Sequence, residues 1–224
     1  MFLFLHFIWS SLCFPAVPPK GPSPVTIIKI VFTPDRRPEN PDSDSLFYQP
    51  HRKLNWSDFK ATPPLRGPSA AVSYTSFAYE GSSLLKKDTL QINLTLQVFF
   101  IKSASWVKSF ARDSYSLEHE QIHFDITWLV ALRFQQRIRS MELTADDYDS
   151  IIQYQYIESF REMNKLQEAY DRETNHGQSP DAQKKWKRTV GEALAALTLE
   201  GALTRYFSPL SADSSTLSTF NTAW

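Results

Sequence analysis

Two histidines and a glutamate stand close together in the middle of the chain, in the pattern His119-Glu120-x-x-His123. In a helix, positions i and i+4 lie on one face, one turn apart, so both imidazoles can reach the same point. Zinc binds histidine nitrogens in tetrahedral coordination, and Glu120 would lie at the edge of that face, where it can take a proton from a water molecule beside the metal. The spacing therefore predicts a zinc site with Glu120 as the catalytic base.

Apolar residues recur around the motif at helical spacing, which indicates a largely buried helix rather than one with solvated histidines. These residues are Leu117, Ile122, Ile126, Leu129, Val130 and Ala131. Polar side chains on a buried helix need partners, and a metal ion would be a partner for both histidines and for the carboxylate.

A third ligand has to come from elsewhere, because a catalytic zinc usually has three protein ligands and an open position. Outside the motif the chain contains only His6, His51 and His176. His176 follows a helical return that can bring it back beside the motif, so we expect it to be the third ligand. Asp171 and Glu173 are the carboxylate alternatives.

Other polar residues could assist such a site. Asp125 lies on the same helix, and it either hydrogen-bonds to a liganding imidazole or is solvated. Hydrolysis of an amide also needs a hydrogen-bond donor for the negative oxygen of the transition state. Three side chains are candidates for this donor, and the sequence does not choose among them: Tyr170, Tyr115 and Arg172.

The composition excludes some classes of function. Lys and Arg together number 24, as do Asp and Glu, so the formal net charge is zero. This balance gives no electrostatic basis for nucleic-acid binding and no polybasic membrane patch. Cys13 is the only cysteine, so the chain cannot form an intramolecular disulfide. The chain also has no Gly-rich phosphate loop and no Ser/His/Asp or Cys/His nucleophile set.

The N-terminal residues 1–16 resemble a signal peptide. Residues 1–14 are apolar but too few to span a bilayer, and prolines follow them. We therefore expect a secreted, periplasmic or cell-envelope protein with no integral membrane span, in which Cys13 is removed with the leader.

Hydrophobic periodicity predicts an α+β fold, with an antiparallel N-terminal sheet followed by the metal-binding helix and C-terminal helices. We divide the chain into a Pro-rich linker with a possible strand (17–45), one metallopeptidase domain (46–204) and a flexible tail (205–224). Residues 90–100 alternate most regularly. This strand is either a peptide-binding edge or an ordinary central strand, and the sequence leaves both open.

Three segments carry a resemblance to a known family: Leu54-Asn55-Trp56-x-Asp58-Phe59, Glu118-His119-Glu120-Gln121-x-His123-Phe124-Asp125-Ile126 and Tyr170-Asp171-x-Glu173-Thr174-x-His176-Gly177. Together they resemble a bacterial domain of unknown function described as predicted secreted zinc-dependent proteases, over about residues 46–190. The helix motif is also the signature of the zincins. The resemblance implies a zincin-like fold with His119, His123 and His176 as ligands and Glu120 as base.

The function predicted from these residues is zinc-dependent hydrolysis of peptide bonds in a peptide or protein substrate. One alternative is a non-catalytic binding or structural protein, in which a fourth protein ligand closes the zinc site. Another is an amidase that uses the same zinc and base on cell-wall peptides.

Overall fold

The computed structural model describes residues 27–207 except for 36, 38, 39 and 68, and for 200–207 it describes the backbone alone. The strands are β1 (Ile27–Pro34), β2 (Ser45–Phe47), β3 (Ala71–Val72), β4 (Thr75–Lys86), β5 (Thr89–Ile101) and β6 (Trp106–Val107). The long helices are α1 (Ser114–Ser140), α2 (Tyr148–Thr174) and α3 (Pro180–Phe207). This order of a sheet followed by helices confirms the predicted α+β class. The predicted leader at 1–16 and residues 208–224 of the predicted tail lie outside the described residues.

β5 is the central strand of the main sheet. β1 and β2 pair with successive parts of one of its edges, and β4 pairs with the whole of the other edge. Its even-numbered residues, from Leu90 to Phe100, are buried against the helices. Because both edges of β5 are occupied, the interpretation of residues 90–100 as a peptide-binding edge is wrong, and the central-strand alternative is correct.

β1 makes the sheet mixed rather than purely antiparallel. It runs parallel to β5, with Ile27 opposite Thr89 and Pro34 opposite Leu96, whereas β2 and β4 are antiparallel to β5. The possible strand in the predicted linker is therefore part of the main sheet. The sheet begins at residue 27, well before the boundary that the sequence suggested at residue 46.

α1 lies at the centre of the molecule, between the sheet and α3, with α2 alongside. Phe124 and Val130 pack with Phe100 of β5, whereas Ile122 and Ile126 pack with Val190 of α3. Further along α1, fully buried Phe134 and Ile138 pack on the first half of β5. A helix covered on several sides can bury polar residues only where other elements supply partners, and this requirement shapes the site described below.

The ends of α1 and α2 have recognisable stop and start signals. The Asp113 carboxylate caps α1 by accepting a hydrogen bond from Ser116 N at 2.8 Å, and this bond lowers the pKa of Asp113. α2 ends in three successive left-handed residues, Asn175, His176 and Gly177, with φ values of 50°, 52° and 80°. His176 N donates to Asp171 O at 2.8 Å, which closes the turn. The chain therefore reverses sharply, and α3 can start at Pro180.

Within residues 27–207, no helix combines the length and the apolar character that a bilayer crossing requires.

Candidate metal centre

Three polar atoms from α1 and α2 converge at one point. His119 Nε2 lies 3.3 Å from Asp171 Oδ1, and His123 Nε2 lies 3.0 Å from the same oxygen. One ligand atom from each residue lies within 4.8 Å of the other two. The structure thus brings together the two motif histidines and Asp171, which the sequence offered as an alternative third ligand.

A buried glutamine fixes the orientation of the His119 ring. Gln183 of α3 is fully buried; its Oε1 lies 3.2 Å from His119 Nδ1, and its Nε2 donates to Tyr115 O at 3.2 Å. A main-chain carbonyl only accepts hydrogen bonds, so the amide NH₂ must face Tyr115, and Oε1 faces the imidazole. His119 Nδ1 therefore carries the proton, and Nε2 presents its lone pair to the convergence point.

Gln167 of α2 has the same role for His123. Its Oε1 accepts a hydrogen bond from His123 Nδ1, while its Nε2 donates to His123 O at 3.0 Å and to Thr127 Oγ1 at 3.1 Å. The carbonyl again determines which end of the amide faces the ring. Both histidines therefore direct an Nε2 lone pair at Asp171 Oδ1.

Two imidazole lone pairs and a carboxylate oxygen at this distance repel one another unless a cation lies among them. A proton can serve: burial lowers the pKa of His123, but the hydrogen bond to Asp171, the charges of Glu120 and Asp171 and the hydrogen bond to Gln167 together outweigh burial and raise the pKa overall. Burial of Asp171 likewise opposes ionisation, but its bonds to both histidines hold its pKa well below the ordinary value. A zinc ion can also serve, since two imidazole nitrogens and one carboxylate oxygen form a donor set typical of catalytic zinc. The residues present therefore fit the metal that the sequence predicts.

His176 lies at the rim of this cluster. Its side chain is 53% exposed, and its Nδ1 lies 3.9 Å from Asp171 Oδ2. His119 and His123 contact the other carboxylate oxygen, Oδ1. His176 is not one of the three residues whose ligand atoms converge. The other carboxylate alternative, Glu173, lies outside the cluster, because it accepts a hydrogen bond from Trp186 Nε1 at 2.9 Å.

Glu120 is the most unusual polar residue of the site. It is only 4% exposed, and its Oε2 has no hydrogen-bond partner among the described residues. Buried polar atoms nearly always have partners, so an unpaired carboxylate oxygen indicates a stability cost retained for another reason. Glu120 and the three cluster residues line the same cavity.

The cavity has a volume of about 260 Å³ and lies between α1 and α2 on one side and residues 69–75 on the other. β3 belongs to the wall formed by residues 69–75 and pairs antiparallel with β6. Lys108 N also donates to Ala70 O at 2.9 Å. Strand residues alternate in the direction of their amides, so those of Ala71 and Ser73 point away from β6. Among the described residues no strand pairs with this other edge of β3, and the residues of β3 line the cavity. Ser73 Oγ also donates to Glu120 O at 3.5 Å.

The three candidate oxyanion donors have different surroundings. Tyr170 is fully buried, stacks on the His119 ring with centroids 4.6 Å apart, and donates to His119 O at 3.4 Å. It therefore packs against His119, a predicted ligand, and is not among the residues that line the cavity. Tyr115 and Arg172 do not contribute to the described lining of the cavity, whereas His176 does.

Asp125 lies on the other side of α1. Its Oδ1 accepts hydrogen bonds from Tyr48 and from Gln121 Nε2, each at 2.8 Å. Gln121 Oε1 in turn accepts from Leu54 N at 2.8 Å. The two roles expected for Asp125, bonding to a ligand or facing solvent, are both wrong: it fastens the segment before β3 to α1.

Sequence reasoning missed the two glutamines. Gln167 stands one helical turn before Asp171, a spacing that could have drawn attention to it. Gln183 gives no comparable local signal, because it reaches His119 only through the turn between α2 and α3.

Comparison with known proteins gives one match. No curated protein and no solved structure matches this chain. Residues 102–177, about a third of the chain, match the family described as "Bacterial protein of unknown function (DUF922)", and this segment contains Glu120, His176 and the three residues of the cluster.

Proposed function

We propose that this protein is a zinc-dependent hydrolase that cleaves peptide bonds. His119, His123 and Asp171 would hold the metal, and Glu120 would act as general base. The observation that carries the proposal is the convergence of three acceptor atoms beside a buried carboxylate oxygen that has no partner.

The bound zinc would supply Lewis-acid polarisation of the scissile carbonyl. Glu120 accepts a proton from the attacking water at its unpaired Oε2 and passes it to the leaving amine. Gln183 and Gln167 hold the proton of each neutral imidazole on Nδ1, so that both Nε2 atoms are aimed at one point and are left to the metal. His176 lies at the cavity rim, where its exposed ring can reach an incoming substrate.

A peptide is the substrate class that the cavity walls favour. The outward amides of Ala71 and Ser73 can pair with an extended peptide, which would add a strand beside β3. Such a peptide would lie along the wall opposite His119 and Glu120, with its carbonyl groups close to the cluster.

A structural zinc site is the second candidate. His176 Nδ1 lies 3.9 Å from Asp171 Oδ2, so a modest ring movement could bring in a fourth protein ligand and close the site. This protein would bind zinc but hydrolyse nothing.

The test compares the full chain with Glu120→Gln and with Glu118→Gln, a matched control whose carboxylate instead pairs with Lys187 at the surface. Metal content is measured by mass spectrometry, and hydrolysis is measured on a peptide library and on cell-wall peptides. We expect zinc in all three proteins, with turnover reduced roughly 10²- to 10⁴-fold in Glu120→Gln alone.

Bound zinc without turnover of any substrate by the unsubstituted chain would overturn the hydrolase and support the structural site. Absence of zinc would overturn both. Turnover of cell-wall peptides alone would narrow the activity to an amidase.

A further inference from the structure

The far end of the β4–β5 hairpin exposes aliphatic side chains. Leu84 and Leu85 are 59% and 63% exposed, and the two-residue turn that follows β4 begins with Lys87, whose φ is 56°. Ile27 of β1 joins them: it is 56% exposed, and its N donates to Asp88 O at 2.8 Å. We call these residues, with Lys29 and Lys86, the hairpin tip.

The strand register places aliphatic and cationic groups on one face of this tip. Ile27 and Lys86 both stand opposite Thr89, and Lys29 and Leu84 both stand opposite Gln91. All four side chains therefore project from the sheet surface that faces away from the helices. Residues 27–29 and 84–89 contain three lysines and one acid, Asp88 of the turn, so these two segments have a net positive charge. The zero net charge of the whole chain gave no indication of this basic cluster.

The apolar N-terminal stretch is attached to the same place. Ile27 is the first described residue, and residues 1–14 contain no Asp, Glu, Lys or Arg. Only residues 15–26 separate the two, a length that spans at most roughly 40 Å when extended. For as long as residues 1–14 remain attached, the hairpin tip stays within that distance of whatever apolar environment they enter.

The geometry points to the hairpin tip as a surface that docks onto an anionic lipid bilayer. Leu84 and Ile27 would enter the interfacial layer from one face of the tip and Leu85, which stands opposite Leu90, from the other face. Lys29, Lys86 and Lys87 would lie beside the lipid phosphates. This inference is independent of the hydrolase proposal, since no residue of the metal cluster takes part in it.

Docking at this end would direct the cavity away from the lipid. The cavity borders Thr75 at the start of the 12-residue strand β4, whereas the tip lies at the other end of this strand. A strand of this length spans roughly 40 Å, more than the thickness of a headgroup layer. The cavity would therefore open towards molecules in the aqueous layer above the membrane, not towards lipids.

The test uses the full chain with Cys13→Ser, which removes the only cysteine, and a single probe cysteine at Leu84→Cys. A polarity-sensitive fluorophore at this position is compared with one at Ser57→Cys, an exposed site at the opposite end of the sheet. Vesicles are either phosphatidylcholine alone or phosphatidylcholine mixed with phosphatidylglycerol. We expect a blue shift at position 84 with the anionic vesicles only, and no shift at position 57.

A second variant separates the tip from residues 1–14. Lys86→Gln with Lys87→Gln should weaken partitioning onto anionic vesicles roughly 30-fold, with an unchanged thermal melt because both side chains are exposed. Co-sedimentation without a shift at position 84 would overturn the inference, as would equal shifts with both vesicle types. A shift that grows with protein concentration in the absence of vesicles would also overturn it, since it would indicate contact between two copies of the chain.

Discussion

Gly177 lies against the imidazole of His119, so closely that a Cβ built on the glycine would come within 3.3 Å of both Cγ and Nδ1 of the ring. The same glycine has a φ of 80°, which L-residues rarely adopt. The turn after α2 thus packs against the His119 ring and restricts the movement of this predicted zinc ligand.

Gly177→Ala should therefore weaken both folding and zinc binding. The strained φ alone costs about 1–2 kcal/mol, and the added methyl displaces the His119 ring. Denaturant unfolding and competition with a zinc chelator measure the two effects. Gly191→Ala in α3 is the matched control, because open space surrounds that position. It should leave zinc affinity unchanged and raise stability by up to about 1 kcal/mol. Equal zinc affinity in the two variants would contradict the inference that Gly177 positions the His119 ring.

The identity of the third ligand is tested by comparing three alanine variants in the same chelator competition. Asp171→Ala should lower zinc affinity roughly 100-fold or more, since it removes one of the converging atoms. His176→Ala should have a much smaller effect, and Glu173→Ala none, because that carboxylate bonds to Trp186. A larger loss with His176→Ala than with Asp171→Ala would show that His176, as the sequence predicts, is the third ligand.

Gln183 should affect zinc affinity without touching the metal. Gln183→Leu removes the acceptor that keeps the proton on His119 Nδ1, so we expect zinc to bind roughly 10- to 100-fold more weakly. Gln183→Glu keeps an acceptor oxygen and should retain most of the affinity. Circular dichroism of both metal-free variants controls for misfolding, because Gln183 is fully buried. Wild-type affinity in a folded Gln183→Leu protein would show that the glutamine does not set the tautomer.

The packing of α1 on α2 should weaken at low pH because of Glu162. Burial opposes ionisation of this carboxyl, but the hydrogen bonds from Arg137 at 2.8 Å and Arg133 at 2.7 Å, together with the charges of both arginines, outweigh burial and hold its pKa below the ordinary value of 4.5. The unfolded chain therefore takes up this proton first as the pH falls. The stabilisation is complete well above pH 4.5 and is lost as the pH falls through the lower, folded-state pKa.

Glu162→Gln should reduce the free energy of unfolding at neutral pH and flatten its dependence on pH in the acid range. Urea titrations between neutral and acid pH measure this slope. Glu168→Gln, an exposed glutamate on the same helix, serves as control and should keep the wild-type slope. A Glu162→Gln protein with the wild-type slope would show that the ion pairs contribute nothing.

The sequence by itself determined the features that depend on local geometry. The spacing of His119, Glu120 and His123 was enough to place them on one helix and within reach of one point, because helical periodicity does not depend on the rest of the fold. The alternation along residues 90–100 likewise established a strand with one buried face.

Only the tertiary structure decided which residues converge beside the motif histidines. Asp171 and His176 are five positions apart, and the choice between them depends on the packing of α2 and on the left-handed turn at its end. Gln183 reaches His119 across 64 positions of sequence, and Asp125 is bound by Tyr48 across 77. One edge of β5 is occupied by its hairpin partner β4, whereas the other is occupied by β1 and β2, which come from much earlier in the chain. Periodicity reports which face of an element is buried, but which groups lie opposite that face depends on how the chain closes on itself.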